Sequence, residues 1–133
     1  MTDLFHIYGG DLAVSATGDL ALATADESGQ QRLYRRLGTN PALLDSAGNV
    51  VATGDYLAHQ DYGAGVGRRV GAPVDVAGTT QTIEAQVRME SAVAKSPPPQ
   101  VTVTPMQDAL SAQIQYTDAE TLTTQVIAFD INI

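Results

Sequence analysis

The alternation of hydrophobic and polar residues is clearest in the last third of the chain, from residue 101 to residue 131. A period of two is typical of strands that bury one face and expose the other. The turn-forming run Thr117–Glu120 separates the second alternating segment from the third. We therefore predict three antiparallel strands in a meander. The predicted core positions are Val101, Val103, Leu110, Ala112, Ile114, Tyr116, Ile127, Phe129 and Ile131.

The last predicted strand changes phase along its length. Leu122 and Val126 belong to one alternating set, whereas Ile127, Phe129 and Ile131 belong to the other. Because a shift of one residue moves side chains to the opposite face of a sheet, this change predicts either a β-bulge or burial on both faces. The strand continues to the last residue of the sequence, and we expect it to present an unpaired edge.

The segment from Asp26 to Leu37 has the spacing of an amphipathic helix, with Leu33 and Leu37 on one face. We expect the helix to be capped by Asp26 or by Ser28, which has a glutamine three residues later, as in a capping box. Arginines in the last turns suit the negative end of the helix dipole. Gly38 is expected to adopt the left-handed conformation just past the helix end.

A second helix is predicted from Thr82 to Lys95, where hydrophobic residues form a broad stripe. Thr79 or Thr80 is expected to cap its first turn. The proline-rich run Ser96–Pro99 then ends the helix, since proline cannot continue it.

Short hydrophobic runs and turn signals occupy the rest of the chain. Residues 4–24 are expected to form two or three short strands, with a turn at Gly9-Gly10. Residues 42–57 are expected to form a small surface hairpin around Asp45–Asn49. The predicted fold is α+β in a single domain of residues 1–133, with an N-terminal β-hairpin, two main helices and a C-terminal three-stranded antiparallel meander.

The charge balance restricts the classes of partner. The chain has fifteen acidic and seven basic residues, a formal net charge of −8, and no cysteine. Such a chain is repelled by phosphate groups, which disfavours binding to nucleic acid or to an anionic membrane. No signal peptide is predicted, and no apolar run approaches the length of about 18 residues that a membrane span needs. The arginines cluster at residues 32–36 and 68–69. Each cluster is either a solvated face or a docking patch for an acidic partner.

The glycine-rich stretch Ala58–Gly71 is the most distinctive candidate for a binding site. Its G-x-G-x-G pattern lacks the spacing of a dinucleotide-binding loop, and it has no lysine, which a P-loop requires. Glycines at this density more often mark turns with positive φ and close backbone packing. We therefore predict a shaped turn, with Arg68 and Arg69 at its end as candidates for docking a neighbouring subunit.

The other candidates for chemistry do not form a site. His6 and His59 have no second metal ligand at a suitable spacing. Glu84 and Glu90 are six residues apart on the predicted helix, about 240° around its axis, so they face different directions. We accordingly predict no enzymatic activity and no catalytic, cofactor-binding or metal-binding residues.

The order of these segments resembles a known family. A hairpin precedes a helix that ends in RRLGTNP, a DYGAGVG turn leads to the second helix, and a meander ends in VIAFDI. This order is similar to that of the baseplate wedge family of contractile phage tails and related injection machines. Members of that family act as tail sheath initiators and were long described as lysozyme-like. Within roughly residues 10–131, Thr39-Asn40-Pro41 matches the family's threonine–x–proline, and Asp61-Tyr62-Gly63 matches its aromatic–glycine turn.

The chain departs from the family pattern at three places. Gln60 stands where a proline usually precedes the aromatic–glycine turn. Pro98-Pro99-Gln100 stands where many members have Glu-Pro-Arg, so a charged anchor for wedge contacts is lost. The excursion Leu43–Asp55 looks like an insertion relative to the family's short loop.

The resemblance implies a structural component of a contractile tail baseplate, located in the virion and made in the host cytoplasm. It implies that the chain joins the wedge to the first sheath ring by β-strand augmentation, in several copies per particle, most simply six. The implied partners are other wedge proteins and sheath subunits, with the tail tube as a further candidate. The expected partner-binding residues are Arg68, Arg69, Leu122, Val126, Phe129 and Ile131.

Two alternatives remain open at the level of sequence. One is a glycosidase or muramidase-like enzyme, which would need two carboxylates assembled across a cleft by the fold. The other is a small α+β adaptor from a different assembly.

Overall fold

The computed structural model describes residues 3–6 and 12–132, and its two helices lie in the first two thirds of the chain. The first helix, α1, spans Ala25–Gly38, and the second, α2, spans Val76–Met89. A short 3-10 helix, Val66–Arg69, lies between them.

The strands form two separate antiparallel sheets. A small hairpin pairs β1 (Leu43–Leu44) with β2 (Val50–Ala52). The larger sheet has the order β3 (Gln100–Pro105), β4 (Ala109–Thr117) and β5 (Thr124–Asn132). The α+β class, the two helices and the C-terminal three-stranded antiparallel sheet are therefore confirmed.

The last strand is regular, and the predicted bulge or two-sided burial is wrong. β4 and β5 pair without interruption over nine residue pairs, from Ala109 with Asn132 to Thr117 with Thr124. Leu122 lies before the strand, in the connecting turn, with a φ of 59°. The phase change therefore has two sources, since Leu122 belongs to the turn and Val126 lies on the solvent face of β5.

One face of the larger sheet is buried against both helices. The side chains of Leu33 and Leu37 in α1 and of Ile83 and Val87 in α2 are fully buried there. Of the predicted core positions, Val101 and Phe129 are half-buried, and the others are buried. The opposite face is exposed and polar over most of its area, with Thr102, Thr104, Gln113 and Gln115 among its residues.

The N-terminus of α1 is capped by Thr24, so the predicted caps at Asp26 and Ser28 are wrong. The Glu27 amide donates to Thr24 Oγ1 (3.2 Å), and the Thr24 amide donates to Glu27 Oε2 (2.7 Å), which forms a capping box. Ser28 lies inside the helix and donates its hydroxyl hydrogen to Asp3 at 2.5 Å. The sequence therefore contained a second capping box four residues upstream of the one that we predicted.

The C-terminus of α1 ends without a left-handed glycine. Gly38 is the last helical residue, and Thr39 after it is extended, with φ −73° and ψ 135°. The amide and the hydroxyl of Thr39 both donate to the Arg35 carbonyl, at 3.0 and 2.6 Å. Because Thr39 satisfies this carbonyl itself, the predicted role of Gly38 is not needed and is wrong.

The helix α2 lies six residues upstream of the predicted span, and the predicted caps at Thr79 and Thr80 are wrong. Asp75 caps it by accepting a hydrogen bond from the Gly78 amide at 2.9 Å. The chain leaves the helix at Glu90, whose buried carboxylate is held by Arg36. A tertiary contact therefore ends this helix before the prolines are reached.

The segments before α1 pair through isolated antiparallel bridges, within the described residues. The bridged pairs are Leu4 with Leu22, His6 with Leu12, and Val14 with Leu20. The hairpin β1–β2 follows α1 and agrees with the hairpin predicted for residues 42–57, with a shift of register between Leu43 and Leu44. The predicted turn at Gly9-Gly10 lies outside the described residues.

Candidate partner-binding surfaces

The glycine-rich stretch packs its backbone against the end of α1. Gly63 and Gly65 have φ values of 112° and 61°, which only glycine adopts readily. The Gly63 amide donates to Gln86 Oε1 (3.1 Å), the Ala64 amide to the Arg36 carbonyl (3.1 Å) and the Gly65 amide to the Thr39 carbonyl (2.9 Å). Three successive amides are thus bonded within the chain and are not directed at a phosphate. This geometry is that of the predicted shaped turn.

Arg68 and Arg69 hold the 3-10 helix to two different parts of the chain. Arg68 Nη1 donates to the Pro41 carbonyl at 2.5 Å, and Arg69 Nη2 donates to Thr82 Oγ1 at 3.1 Å. Arg68 is exposed, whereas Arg69 is half-buried. The two predicted docking residues therefore point to different neighbours and do not form one patch.

An apolar groove of about 190 Å³ runs beside β5, between this strand, the end of α1 and the 3-10 helix. Tyr34 and Phe129 meet edge to face in it, with ring centroids 6.4 Å apart. Two of the predicted partner-binding residues, Phe129 and Ile131, line the groove. The lining residues are Tyr34, Leu37, Gly38, Val66, Gly67, Val70, Phe129, Asp130 and Ile131.

Leu122 and Val126, the other two predicted residues on this side, lie away from the groove. Leu122 is 73% exposed in the turn before β5, and Val126 is 49% exposed on the solvent face of the sheet. The structure therefore brings together only the two residues at the C-terminal end of the strand. Ile131 is itself buried, so the groove contains only a small part of its surface.

The outer edge of β5 is only partly paired within the described part of the chain. The Ala128 carbonyl accepts a long hydrogen bond from the Tyr34 hydroxyl (3.5 Å), and the Asn132 carbonyl accepts one from the Gly71 amide (3.2 Å). Since alternate residues of a strand direct their backbone groups to opposite sides, Val126 and Asp130 also face away from β4. Among the described residues, the backbones of Val126 and Asp130 have no partner from an element outside the sheet.

A second and larger cleft, of about 620 Å³, lies on another side of α1. Its helical wall carries Arg32, Arg35 and Arg36, and its opposite wall carries Tyr56 and Tyr62. We call it the arginine–tyrosine cleft. The arginines were apparent in the sequence as a cluster, but the tyrosines were missed because they come from a loop that tertiary contacts bring to the helix.

Arg36 is held in the arginine–tyrosine cleft by three other side chains. Its Nε donates to Glu90 Oε2 at 2.9 Å, and its Nη1 donates to Gln86 Oε1 at 3.1 Å. The guanidinium carbon lies 4.2 Å from the centre of the Tyr62 ring, a cation–π contact. With side chains only 12% and 7% exposed, Arg36 and Glu90 form an ion pair that is largely shielded from solvent.

At the other end of the arginine row, Asp3 lies close to α1. The hydrogen bond from the Ser28 hydroxyl holds the pKa of Asp3 below its ordinary value, and the charges of Arg32 and Arg35 lower it further. Arg32 Nε is 3.6 Å from the Asp3 carboxylate. Asp3 therefore stays ionised beside the arginines near neutral pH.

Two groups of aliphatic side chains are exposed to an extent that is unusual for a free surface. One group belongs to the bridged segments before α1, and the other belongs to the β1–β2 hairpin. Their members are Leu4, Leu12, Val14, Leu20 and Leu22 in the first group and Leu43, Leu44, Val50 and Val51 in the second.

The two glutamates considered from the sequence, Glu84 and Glu90, each pair with an arginine. Glu84 is 2.6 Å from Arg88 on the surface of α2, and Glu90 pairs with Arg36. No group of three or more potential metal ligands is found among residues 3–6 and 12–132. In the same part of the chain, neither helix has the length and apolar character needed to cross a membrane.

Comparison with protein-family models, with curated proteins and with solved structures finds no match to this chain.

Proposed function

We propose that the chain is a structural component of a contractile tail baseplate that joins the wedge to the first sheath ring. In this proposal, the outer edge of β5 accepts a terminal strand from a sheath subunit. The observation that supports it is that the outward backbone groups of Val126 and Asp130 have no partner outside the sheet, and that only a long hydrogen bond from Tyr34 to the Ala128 carbonyl lies between them, beside an apolar groove. An exposed strand edge binds an extended segment through main-chain hydrogen bonds, and adjoining pockets select its side chains.

The groove adds specificity to the β5 edge. A strand added along β5 would place alternate side chains over the same face as Phe129, where the groove lies. An aliphatic or aromatic side chain of the added strand would cover the Tyr34–Phe129 pair. At the end of the strand, the Gly71 amide already occupies the Asn132 carbonyl, so the open part of the edge ends near Asp130.

The edge of β3 is less suited to this role. The strand is six residues long, against nine for β5, and it ends in Pro105, which has no amide hydrogen to donate. The α2 helix also packs close to β3. Augmentation at β5 is therefore the arrangement that we propose.

The β1–β2 hairpin is proposed as the contact with the wedge. The Glu-Pro-Arg anchor of the resembled family is absent, and the hairpin falls in the segment that looked like an insertion. Its exposed residues, Leu43, Leu44, Val50 and Val51, give an apolar surface for a protein partner. Copies arranged around a tail tube would each present such a hairpin to an adjacent wedge protein.

Disulfide cross-linking tests the augmentation, because the chain has no cysteine of its own. Ala128→Cys places a thiol beside the proposed strand, and Thr104→Cys places one on the β3 side as a matched control; both positions are exposed. Each variant is assembled with sheath subunits that carry single cysteines along their terminal strands. We expect cross-links to residue 128 at one register and none to residue 104. Assembled tails with cross-links only at residue 104, or at neither position, would contradict the proposal.

A further inference from the structure

The arginine–tyrosine cleft has no part in the proposed sheath contact. It lies on a different side of α1 from the β5 groove, and the two cavities share no lining residue. Its size, about 620 Å³, is enough for several side chains of a partner. A ligand bound in the cleft would therefore not compete with a strand bound at the β5 edge.

Basic residues are concentrated in the cleft, although the protein as a whole is acidic. Three of the seven basic residues line it, although the chain carries a net charge of −8. Two acidic residues also line it, and a third, Asp3, lies 3.6 Å from Arg32 at its end. Glu90 pairs with Arg36, and an Asp55 carboxylate oxygen accepts the Asn40 amide hydrogen at 2.9 Å.

Arg35 is the arginine that is most available to a ligand. It is exposed, and within the described residues its side chain has no ion pair and no hydrogen bond. Arg36 beside it is held rigidly between Glu90 and the Tyr62 ring. An exposed guanidinium such as that of Arg35 can bind a carboxylate of a ligand through two parallel hydrogen bonds.

An aromatic wall faces these charges. The Tyr56 ring centroid lies 5.7 Å from that of Tyr62 and 5.2 Å from that of His59. Tyr56 is 49% exposed, and Leu57 beside it is 74% exposed. Tyrosine and arginine together are typical of the centres of protein interfaces, since both offer large contact areas and polar groups.

The rim of the cleft continues into the apolar hairpin. The amide of Asp55 donates to the Asn40 carbonyl at 2.9 Å, which closes the base of the β1–β2 hairpin at the edge of the cleft. The hairpin, with its exposed aliphatic side chains, therefore begins at the edge of the cleft. Such a continuous surface favours a segment of another protein over a free metabolite.

We propose that the arginine–tyrosine cleft binds an acidic, extended segment of a partner protein. A carboxylate of the segment pairs with Arg35, and an apolar or aromatic residue of the segment packs on Tyr56. The proposal goes beyond the baseplate function and does not rest on it, because it concerns a different surface.

Fluorescence polarisation with labelled synthetic peptides tests the proposal. The probe alternates glutamate with leucine and tyrosine, and a matched peptide has lysine in place of each glutamate. We expect the glutamate peptide to bind and the lysine peptide not to bind. Arg35→Ala should weaken binding at least about tenfold, because a charge-assisted hydrogen bond is worth roughly 1.5–3 kcal/mol.

Two controls separate this cleft from general electrostatic attraction. Arg88→Ala removes an equal charge from the exposed face of α2, where it pairs with Glu84, and should leave binding unchanged within about twofold. Tyr56→Ala should weaken binding without changing the net charge. Circular dichroism confirms the fold of each variant, which exposed Arg35 and Tyr56 are expected to preserve.

Three results would overturn the proposal. The first concerns the peptides: the glutamate peptide does not bind, or the lysine peptide binds equally well. The second is an equal loss of affinity in Arg88→Ala and Arg35→Ala. The third is displacement of the peptide by free glutamate at the same carboxylate concentration, since that would identify a small-anion site. Failure of the sheath cross-linking would leave the peptide result intact, so the two proposals are tested separately.

Discussion

Replacing Gly63 with alanine should destabilise the protein more than any other change in the glycine-rich stretch. Gly63 has a φ of 112°, and its backbone lies directly against the Thr39 peptide group. A Cβ atom added there would lie 2.7 Å from the Thr39 carbonyl carbon and 3.0 Å from the Thr39 Cβ, and still closer to the carbonyl oxygen. Neither the turn nor the end of α1 can move away without breaking the hydrogen bonds that join them.

Two free-energy costs add in the Gly63→Ala variant. A non-glycine residue at such a φ costs about 1–3 kcal/mol. Forcing an extra methyl group into a close-packed contact costs about 1–3 kcal/mol more. We therefore expect Gly63→Ala to lower the free energy of unfolding by about 2–6 kcal/mol, a large part of the roughly 5–15 kcal/mol typical of a domain. At roughly 3–5 °C per kcal/mol for a domain of this size, the melting temperature should fall by about 6–30 °C.

Two other glycines separate these costs. Gly71 also has a positive φ, 74°, but an added Cβ would meet nothing within 4 Å, so Gly71→Ala measures backbone strain alone. Gly67 has neither a positive φ nor a neighbour within 4 Å, and Gly67→Ala should be neutral or slightly stabilising. Urea denaturation of the three variants gives the comparison. If Gly63→Ala is no less stable than Gly71→Ala, the close contact with Thr39 does not stabilise the fold, and the stretch would again be a candidate ligand loop.

Four further outcomes are expected. Val126→Pro, which removes an outward-facing amide hydrogen from the β5 edge, should leave the fold intact but abolish sheath initiation, and normal tails from this variant would argue against the proposed edge. Tyr116→Phe should keep or raise stability by up to about 1 kcal/mol at pH 7, because the buried hydroxyl has no hydrogen-bond partner among the described residues. Burial and then the charge of Asp118 raise the pKa of Tyr116 above the value of about 10 for an unfolded chain, so the neutral ring favours folding below that pH and its contribution is lost as the pH rises further. Urea denaturation near pH 11 should therefore show wild type losing more stability than Tyr116→Phe, and equal losses would refute this reasoning. The double variant Arg68→Ala, Arg69→Ala loses two internal hydrogen bonds and should be less stable by about 1–3 kcal/mol, but it should still co-purify with wedge proteins through the β1–β2 hairpin; loss of co-purification in a folded variant would instead make the pair a docking site. Light scattering should show a monomer or weak dimer at low salt, since a net charge of −8 makes copies repel, and a stable hexamer without partners would contradict this.

The parts of the fold that the sequence predicted are those set by local periodicity. The alternating runs after residue 100 became β3, β4 and β5, because each strand has one face on the helices and one in solvent. The first helix was predicted within a residue at each end, but its caps were not. Thr24 and Glu27 form a capping box that is visible in the sequence, and only the competing Ser28 obscured it.

The errors in α2 have a tertiary origin. The helix ends at Glu90 because Arg36, 54 residues away in sequence, draws the carboxylate into the interior. Val93 then bridges to Asp118 at the end of β4, so residues 90–95 follow the sheet edge instead of a helix. Helical propensity and hydrophobic spacing in this segment contain no information about either contact.

The candidate surfaces also differ in how much of each could be predicted from the sequence. The shaped glycine turn could be predicted because glycine density reports directly on backbone conformation. The β5 groove and the arginine–tyrosine cleft could be predicted only in part, since each joins elements that are distant in sequence. For the cleft, the arginines of α1 were visible as a cluster, but the partnership with Tyr56 and Tyr62 depends on how the 55–62 loop folds back onto the helix.

A reconstruction of an assembled contractile tail that contains the protein tests the proposed function most directly. We predict that the chain lies in the baseplate beneath the first sheath ring, with a strand of a sheath subunit paired to β5 at Val126–Asp130. A side chain of that strand should occupy the groove beside Phe129. A chain found elsewhere in the particle, or a first sheath ring whose strands leave the β5 edge bare, would contradict the proposal.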